Sequence, residues 1–161
     1  MVRYVCMPSG RLESINTSRG GVPKTSVFEA LIGEQGLSGD RQCDLRHHGG
    51  PARAVLIFSL ELIHALQEEG HPIAVGTIGE NLTVSGLDWR EVVPGADVLV
   101  GPVHLRLTDY AAPCSKIRGS FLSGSFTRVD QRDHPGWSRL CAQVLEGGIV
   151  RPGDTVEVRK R

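Results

Sequence analysis

Aromatic side chains are scarce, 5% of 161 residues, which leaves few platforms on which single-stranded bases could stack. A charge excess is missing as well. Eighteen basic and 18 acidic residues give a formal net charge of zero, so no global field holds the chain on nucleic acid or on an anionic membrane, and any anion must be bound locally. Long apolar runs are absent: the longest unbroken aliphatic stretch, 54–58, is far too short to span a bilayer. The first eight residues, Met1-Val2-Arg3-Tyr4-Val5-Cys6-Met7-Pro8, lack the apolar segment of a signal peptide. A cytoplasmic location is therefore expected, with no nucleic-acid or membrane partner, and the glycosylation sequons at Asn16 and Asn81 carry no weight. Cysteine is also sparse. Cys6, Cys43, Cys114 and Cys141 are widely and irregularly spaced, which argues against a disulfide framework and against a paired-cysteine zinc motif, and in favour of reduced thiols.

Glycine and proline, 20 and 9 residues, are what the chain has in abundance. They punctuate short β-prone runs along its whole length, with no composition shift that marks a linker, so one mostly β domain over 1–161 is expected. Strands are expected at 10–18, 26–32, 53–58, 98–100, 103–108 and 155–158. The clearest is Val103-His104-Leu105-Arg106-Leu107-Thr108, which alternates apolar and polar residues as a half-buried strand requires. Gly101-Pro102 joins it to the preceding strand as a hairpin. An internal echo, Val93-Pro94-Gly95-Ala96-Asp97-Val98-Leu99-Val100 against Val150-Arg151-Pro152-Gly153-Asp154-Thr155-Val156-Glu157-Val158, repeats a Pro-Gly turn feeding an apolar strand, a device that recurs in barrels. Two helices are expected. One is capped by Ser59, runs to Glu69 and stops at Gly70, with Leu60, Ile63 and Leu66 near one face; the other covers 137–145 and ends at Gly147-Gly148. The polar, glycine-rich segment 119–135 reads as a mobile loop suited to a lid.

Cys114 has the most chemical setting of the four thiols. It lies in Ala111-Ala112-Pro113-Cys114-Ser115-Lys116-Ile117-Arg118, just past the clearest strand, with cations two and four residues on that favour a thiolate, the form that acts as nucleophile or metal ligand. Free cysteines are more often inert core residues, which suits Cys141 in its apolar surroundings, but the polar, turn-like context of Cys114 is not that of a core position. Between Gly39 and Arg53, arginines at 41, 46 and 53 and histidines at 47 and 48 surround Gly49-Gly50. Backbone amides freed by glycine, together with guanidinium donors, would cradle an anion; equally, the arginines could pair with Asp40 and Asp44 on a solvated loop. Cys43 with His47 suggests zinc, but no second ligand pair follows, so hydrogen bonding is the expected role of the histidines. In Gly79-Glu80-Asn81-Leu82, Asn81 sits at a strand entrance, where capping backbone is its ordinary use and a ligand-facing amide is the alternative.

Gly39-Asp40-Arg41-Gln42, His48-Gly49-Gly50-Pro51 with Arg53-Ala54-Val55, Gly79-Glu80-Asn81-Leu82 and Pro113-Cys114-Ser115-Lys116 occur in the order and spacing of the MOSC domain, which the chain resembles over nearly its whole length. That family forms the C-terminal domain of molybdenum-cofactor sulfurases and also occurs as stand-alone bacterial proteins; the stretch from Gly136-Trp137 to Gly153-Asp154 is similar to the subgroup that includes the bacterial protein conferring resistance to hydroxylaminopurine. The resemblance implies a mostly β, MOSC-type β-barrel with a few short helices. It implies that Cys114 is the functional cysteine, either ligating molybdenum in a bound molybdopterin cofactor or carrying sulfur as a persulfide. Arg41, His48, Gly49, Gly50, Arg53, Asn81, Lys116 and Arg118 are then the expected cofactor-binding residues. Pyridoxal phosphate belongs to the other domain of the full-length sulfurases and is not expected. Three functions follow: reduction of an N-hydroxylated small molecule with a redox partner, sulfur transfer from a cysteine desulfurase, or a non-enzymatic anion-binding scaffold.

Overall fold

The computed structural model describes residues 9–41 and 50–161. In chain order the strands are β1 (Gly10–Thr17), β2 (Thr25–Val27), β3 (Ala30–Gly33), β4 (Gly36–Leu37), β5 (Val55–Ser59), β6 (Leu82–Ser85), β7 (Asp97–Val100), β8 (Val103–Tyr110), β9 (Leu140–Glu146), β10 (Gly148–Val150) and β11 (Thr155–Arg159), with one α-helix, α1 (Leu60–Glu68), between β5 and β6. Seven strands close into a barrel in the order β11-β7-β8-β9-β5-β6-β1, β1 pairing back onto β11, while β2 hangs on β1 and β10-β3-β4 form a small second sheet. Closure leaves these seven strands without an unpaired edge. β5 and β6 run parallel, which a tight hairpin cannot achieve, and α1 lies in the crossover between them.

Strand patterning explains the barrel core. Val103, Leu105 and Leu107 of β8 are at most 1% exposed and alternate with partly exposed neighbours, so one pleat face of β8 fills the interior with Val98 and Val100 of β7 and Val156 of β11. The sequence echo turns out to be two adjacent strands: β7 and β11 pair antiparallel, Val98 opposite Val158 and Val100 opposite Val156. A second core, of Phe58, Ile63, Leu66, Ile73, Ile78, Ile117, Phe121 and Val129, lies between α1 and the segment after Cys114. Ser59 caps α1 as expected, its hydroxyl accepting from the Leu62 N–H at 3.2 Å, an interaction that contributes about 1 kcal/mol. No helix among the described residues is long and apolar enough to cross a membrane.

Four expectations are corrected. Residues 137–145 are not a helix; 140–146 form β9. Leu140, Cys141 and Ala142 are all buried because β9 is hydrogen-bonded between β5 and β8, and such a continuous apolar run has no periodicity that separates strand from helix. The strand expected at 26–32 is two strands in different sheets, β2 and β3, interrupted at Phe28-Glu29. Arg53 ends a 3₁₀ turn, Pro51–Arg53, and does not begin β5. Finally, 119–135 is no free lid. It contributes to 3₁₀ turns at Ser115–Ser120, Leu122–Gly124 and Phe126–Val129, and it buries Phe121 and Val129 in the second core. Arg128 ties it down further, donating to Glu69 at 2.9 and 2.8 Å and lying 3.9 Å over the Trp137 ring.

Candidate functional site

The end of β8 delivers Cys114. The ladder with β9 runs on past Tyr110, the Ala111 N–H donating to the Arg139 carbonyl at 2.9 Å, and the chain then turns through Pro113 into the 3₁₀ turn Ser115–Ser120, which Cys114 precedes as its N-cap residue. A 3₁₀ turn repeats every three residues. Ile117 and Ser120 therefore share the buried face, whereas Lys116 and Arg118 leave on different sides of the turn.

Cys114, partly buried, lines a cavity of about 400 Å³. Lys24, Arg41, Lys116 and Arg139 also line it, and Val22, Leu56, Ile78 and Ile117 supply its apolar wall. One soft sulfur thus shares a pocket with four cationic side chains. The volume lies within the range of pockets that hold cofactor-sized ligands.

The expected residues divide. Cys114, Arg41 and Lys116 line the cavity. Arg118 is exposed and off the lining, turned away by the 3₁₀ period. Gly50, with φ 79°, caps the 3₁₀ turn that ends at Arg53, and neither residue lines the cavity. His48 and Gly49, like Cys43 and His47, lie outside the described residues. Asn81 is completely buried and its amide is spent inside the protein: Oδ1 accepts from the Leu56 N–H at 2.9 Å, and Nδ2 donates to Asp40 Oδ2 at 2.9 Å and to the Asn16 carbonyl at 3.3 Å. It takes the capping role that its residue type favours and does not reach the cavity wall.

Two charged lining residues escaped the sequence reading. Lys24 follows Val22-Pro23, whose peptide bond is cis, and its Nζ meets Asp40 Oδ1 at 2.6 Å with both side chains under a tenth exposed. Asp40 Oδ1 also accepts from the Ser18 N–H at 2.9 Å. This carboxylate therefore holds together the 18–24 loop, the Asn81 turn and its own loop. Gly76 makes the approach of the Lys24 segment possible: the Lys24 N–H donates to its carbonyl at 2.9 Å, its φ is 82°, and a Cβ there would collide with the Lys24 carbonyl. Arg139, just before β9, is 6% exposed. Its Nη1 donates to the Ile78 carbonyl at 2.7 Å and its Nη2 to the Ala112 carbonyl at 3.5 Å, so it bridges the segments leading into Gly79 and Cys114. A charged residue directly before the apolar run Leu140-Cys141-Ala142 was the available signal. It was lost because the segment read as a helix.

Burial dominates the electrostatics. It pushes the Glu80 carboxyl up to about 7, against the opposing pull of polar hydrogens close by, first its own backbone N–H, and of the Arg139 charge; none of these contacts has the geometry of a formed hydrogen bond, and both carboxyl oxygens are buried. Burial likewise lowers the Arg139 pKa from the ordinary guanidinium value, opposed by the charges of Cys141, Glu80 and Cys114, but an arginine at such a site remains a cation. The Cys141 thiol is pushed up by its own burial, which fits an inert core cysteine.

Comparison with known proteins agrees with this architecture. YflK of Bacillus subtilis (strain 168) is 30% identical over 143 residues, covering 88% of this chain and 64% of YflK; YiiM of Escherichia coli (strain K12) is 29% identical over 126 residues, covering 75% of this chain and 55% of YiiM. The chain thus spans rather more than half the length of these relatives. The crystal structure of YiiM from Geobacillus stearothermophilus superposes with a TM-score of 0.69 at 24% identity, over 94% of this chain and 76% of that one, a likeness of fold. The MOSC domain model matches residues 44–157, a stretch that takes in most of the barrel, the Asn81 turn and the Cys114 turn, and on that match the chain belongs to the MOSC domain family.

Proposed function

We propose that the protein binds a molybdenum-bearing pterin cofactor in the cavity beside Cys114, with the Cys114 sulfur as the protein's ligand to the metal, and that it reduces N-hydroxylated small molecules. The observation that carries this reading is the placing of one soft thiol and the cations Arg41, Lys116 and Arg139 around a single cavity of about 400 Å³.

The residues fit such a group. Among the described residues no cluster of three or more His, Cys, Asp or Glu side chains could hold a bare metal ion; a pterin-held metal would arrive with ligands of its own. A thiolate is a soft ligand suited to completing such a shell. Arg41, Lys116 and Arg139 would hold a phosphate through charge-assisted hydrogen bonds, and Val22, Leu56, Ile78 and Ile117 would flank a planar ring system and limit water at the sulfur. When bound, the cofactor supplies the two-electron redox chemistry; the protein supplies binding, orientation and exclusion of competing reactions. Electrons would come from a separate redox partner, and the cytoplasm is the fitting compartment for a reduced thiol.

Molybdenum and pterin analysis of protein purified from cofactor-producing cells tests the reading. Wild type is expected to retain both in stoichiometric amounts, and Cys114→Ala to lose most of the molybdenum. Equal metal content in the two would remove the role given to Cys114. Metal-free wild type that releases thiocyanate on cyanolysis, after incubation with a cysteine desulfurase, would favour a persulfide sulfur carrier built on the same thiol.

A further inference from the structure

We infer that Arg139 is a ligand-binding residue of the cavity and that its Nε–H is kept for a tetrahedral oxyanion, the phosphate or sulfate class of group. Three observations carry this. The side chain lines the cavity and is more than nine-tenths buried. Two of its three nitrogens are held by backbone carbonyls, those of Ile78 and Ala112, while Nε is buried with no partner. No carboxylate among the described residues lies within ion-pair distance of it; the nearby Glu80 leaves its own oxygens unpartnered and does not take that proton.

A guanidinium removed from water and fixed in place, with no carboxylate at ion-pair distance, is unfavourable unless something entering the site supplies a close counter-charge. Lys24 differs, because Asp40 neutralises it within the protein. Arg41 and Lys116 differ too, being exposed cations at the rim that water stabilises without a ligand. Arg139 therefore sets the buried end of the anion site, and because it also bridges the segments before Gly79 and Cys114, an anion seated on it lies in the same cavity as the reactive sulfur. This deepens the cofactor reading by naming the group that takes the ligand's negative charge, but it needs only an anion and no molybdenum.

The experiment uses inorganic sulfate against chloride at equal ionic strength, with two readouts: the thermal midpoint, and the rate at which iodoacetamide alkylates Cys114, assigned by peptide mass. In wild type, sulfate is expected to raise the midpoint and slow alkylation more than chloride does. Arg139→Lys keeps the charge and a donor for the Ile78 carbonyl but lacks Nε; it is expected to fold and to bind sulfate at least about tenfold more weakly, the loss appropriate to one charge-assisted hydrogen bond. Arg139→Gln is expected to lose the sulfate effect altogether. Arg90→Gln, which removes a cation 88% exposed on its side chain and paired with Asp88, is expected to behave as wild type. The inference is overturned if sulfate and chloride act alike on wild type, if Arg139→Lys binds sulfate as tightly as wild type, or if Arg90→Gln loses as much as Arg139→Lys. Sulfate binding that depends on Arg139 in a protein that never acquires molybdenum would sink the cofactor reading and leave this one standing.

Discussion

Replacing Asp40 by alanine is expected to cost about 3–5 kcal/mol of folding stability, a large part of the 5–15 kcal/mol typical of a domain. The carboxylate sits on three donors at once: Lys24 Nζ at 2.6 Å, the Ser18 N–H at 2.9 Å and Asn81 Nδ2 at 2.9 Å. Its removal strands a buried ammonium and a backbone amide and takes from the Asn81 amide the shorter of its two Nδ2 bonds, so desolvation already undergone is no longer fully repaid by partners. The position of the pair decides the magnitude. Exposed ion pairs are worth under about 1 kcal/mol, but here the side chains are 8% and 5% exposed. Urea unfolding of Asp40→Ala, Lys24→Met and the Lys24→Met/Asp40→Asn double variant gives the check. The double variant, which removes both charges and keeps an acceptor for Ser18, is expected to be more stable than Asp40→Ala. A loss below about 1 kcal/mol in Asp40→Ala would place the pair with ordinary surface pairs and contradict the description of the site as built around it.

Glu80→Gln is expected to flatten a pH dependence of wild-type stability. The folded-state pKa of Glu80 is raised to about 7, against an ordinary value of 4.5. Between those values the folded protein holds a proton that the unfolded chain has released, so stability falls as pH rises. The contribution is fully present below about 4.5 and gone above about 7, and the shift corresponds to roughly 3 kcal/mol. The carboxylates that hydrogen bonds and arginines hold below their ordinary values, Glu69, Asp88, Asp97 and Asp130, act in the opposite direction and at lower pH. The informative quantity is therefore the wild-type value minus the Glu80→Gln value, in which they cancel. That difference is expected to move by roughly 3 kcal/mol in favour of the variant between pH 4.5 and pH 8. A difference that stays flat across the window would mean that the Glu80 carboxyl is hydrated or paired in the folded protein.

What could be read before any coordinates depended on whether neighbours in sequence carried the signal. The β8 alternation, the Gly101-Pro102 hairpin, the Ser59 cap and the turn setting of Cys114 are local, and each stands where it was expected. β9 was misread because a strand flanked on both sides and buried at its start shows no alternation. The 119–135 segment was misread because its 3₁₀ turns bury single residues, Phe121 and Val129, at spacings that leave the composition polar. Cavity residues were legible where a local motif marked them: Cys114 and Lys116 in the turn after β8, and Arg41 by its glycine-bounded motif. Lys24 and Arg139 reach the same cavity from opposite ends of the chain, and only the pairing of β9, β5, β6 and β1 across the sheet brings them together. Asn81 shows the converse. Its motif is real, but its side chain is committed to Leu56, Asn16 and Asp40, and residue type alone cannot tell a structural amide from a ligand-facing one.

Cys114 presents its sulfur to a cation-lined cavity, where a reagent from solvent should reach it, while Cys141 is a core thiol. Timed iodoacetamide labelling of the native protein near neutral pH, with every modified cysteine assigned by peptide mass, tests this difference directly. Cys114 is expected to be alkylated well before Cys141, which is 7% exposed, and Cys141 only on unfolding; a native protein in which Cys114 resists the reagent as long as Cys141 does would contradict the account.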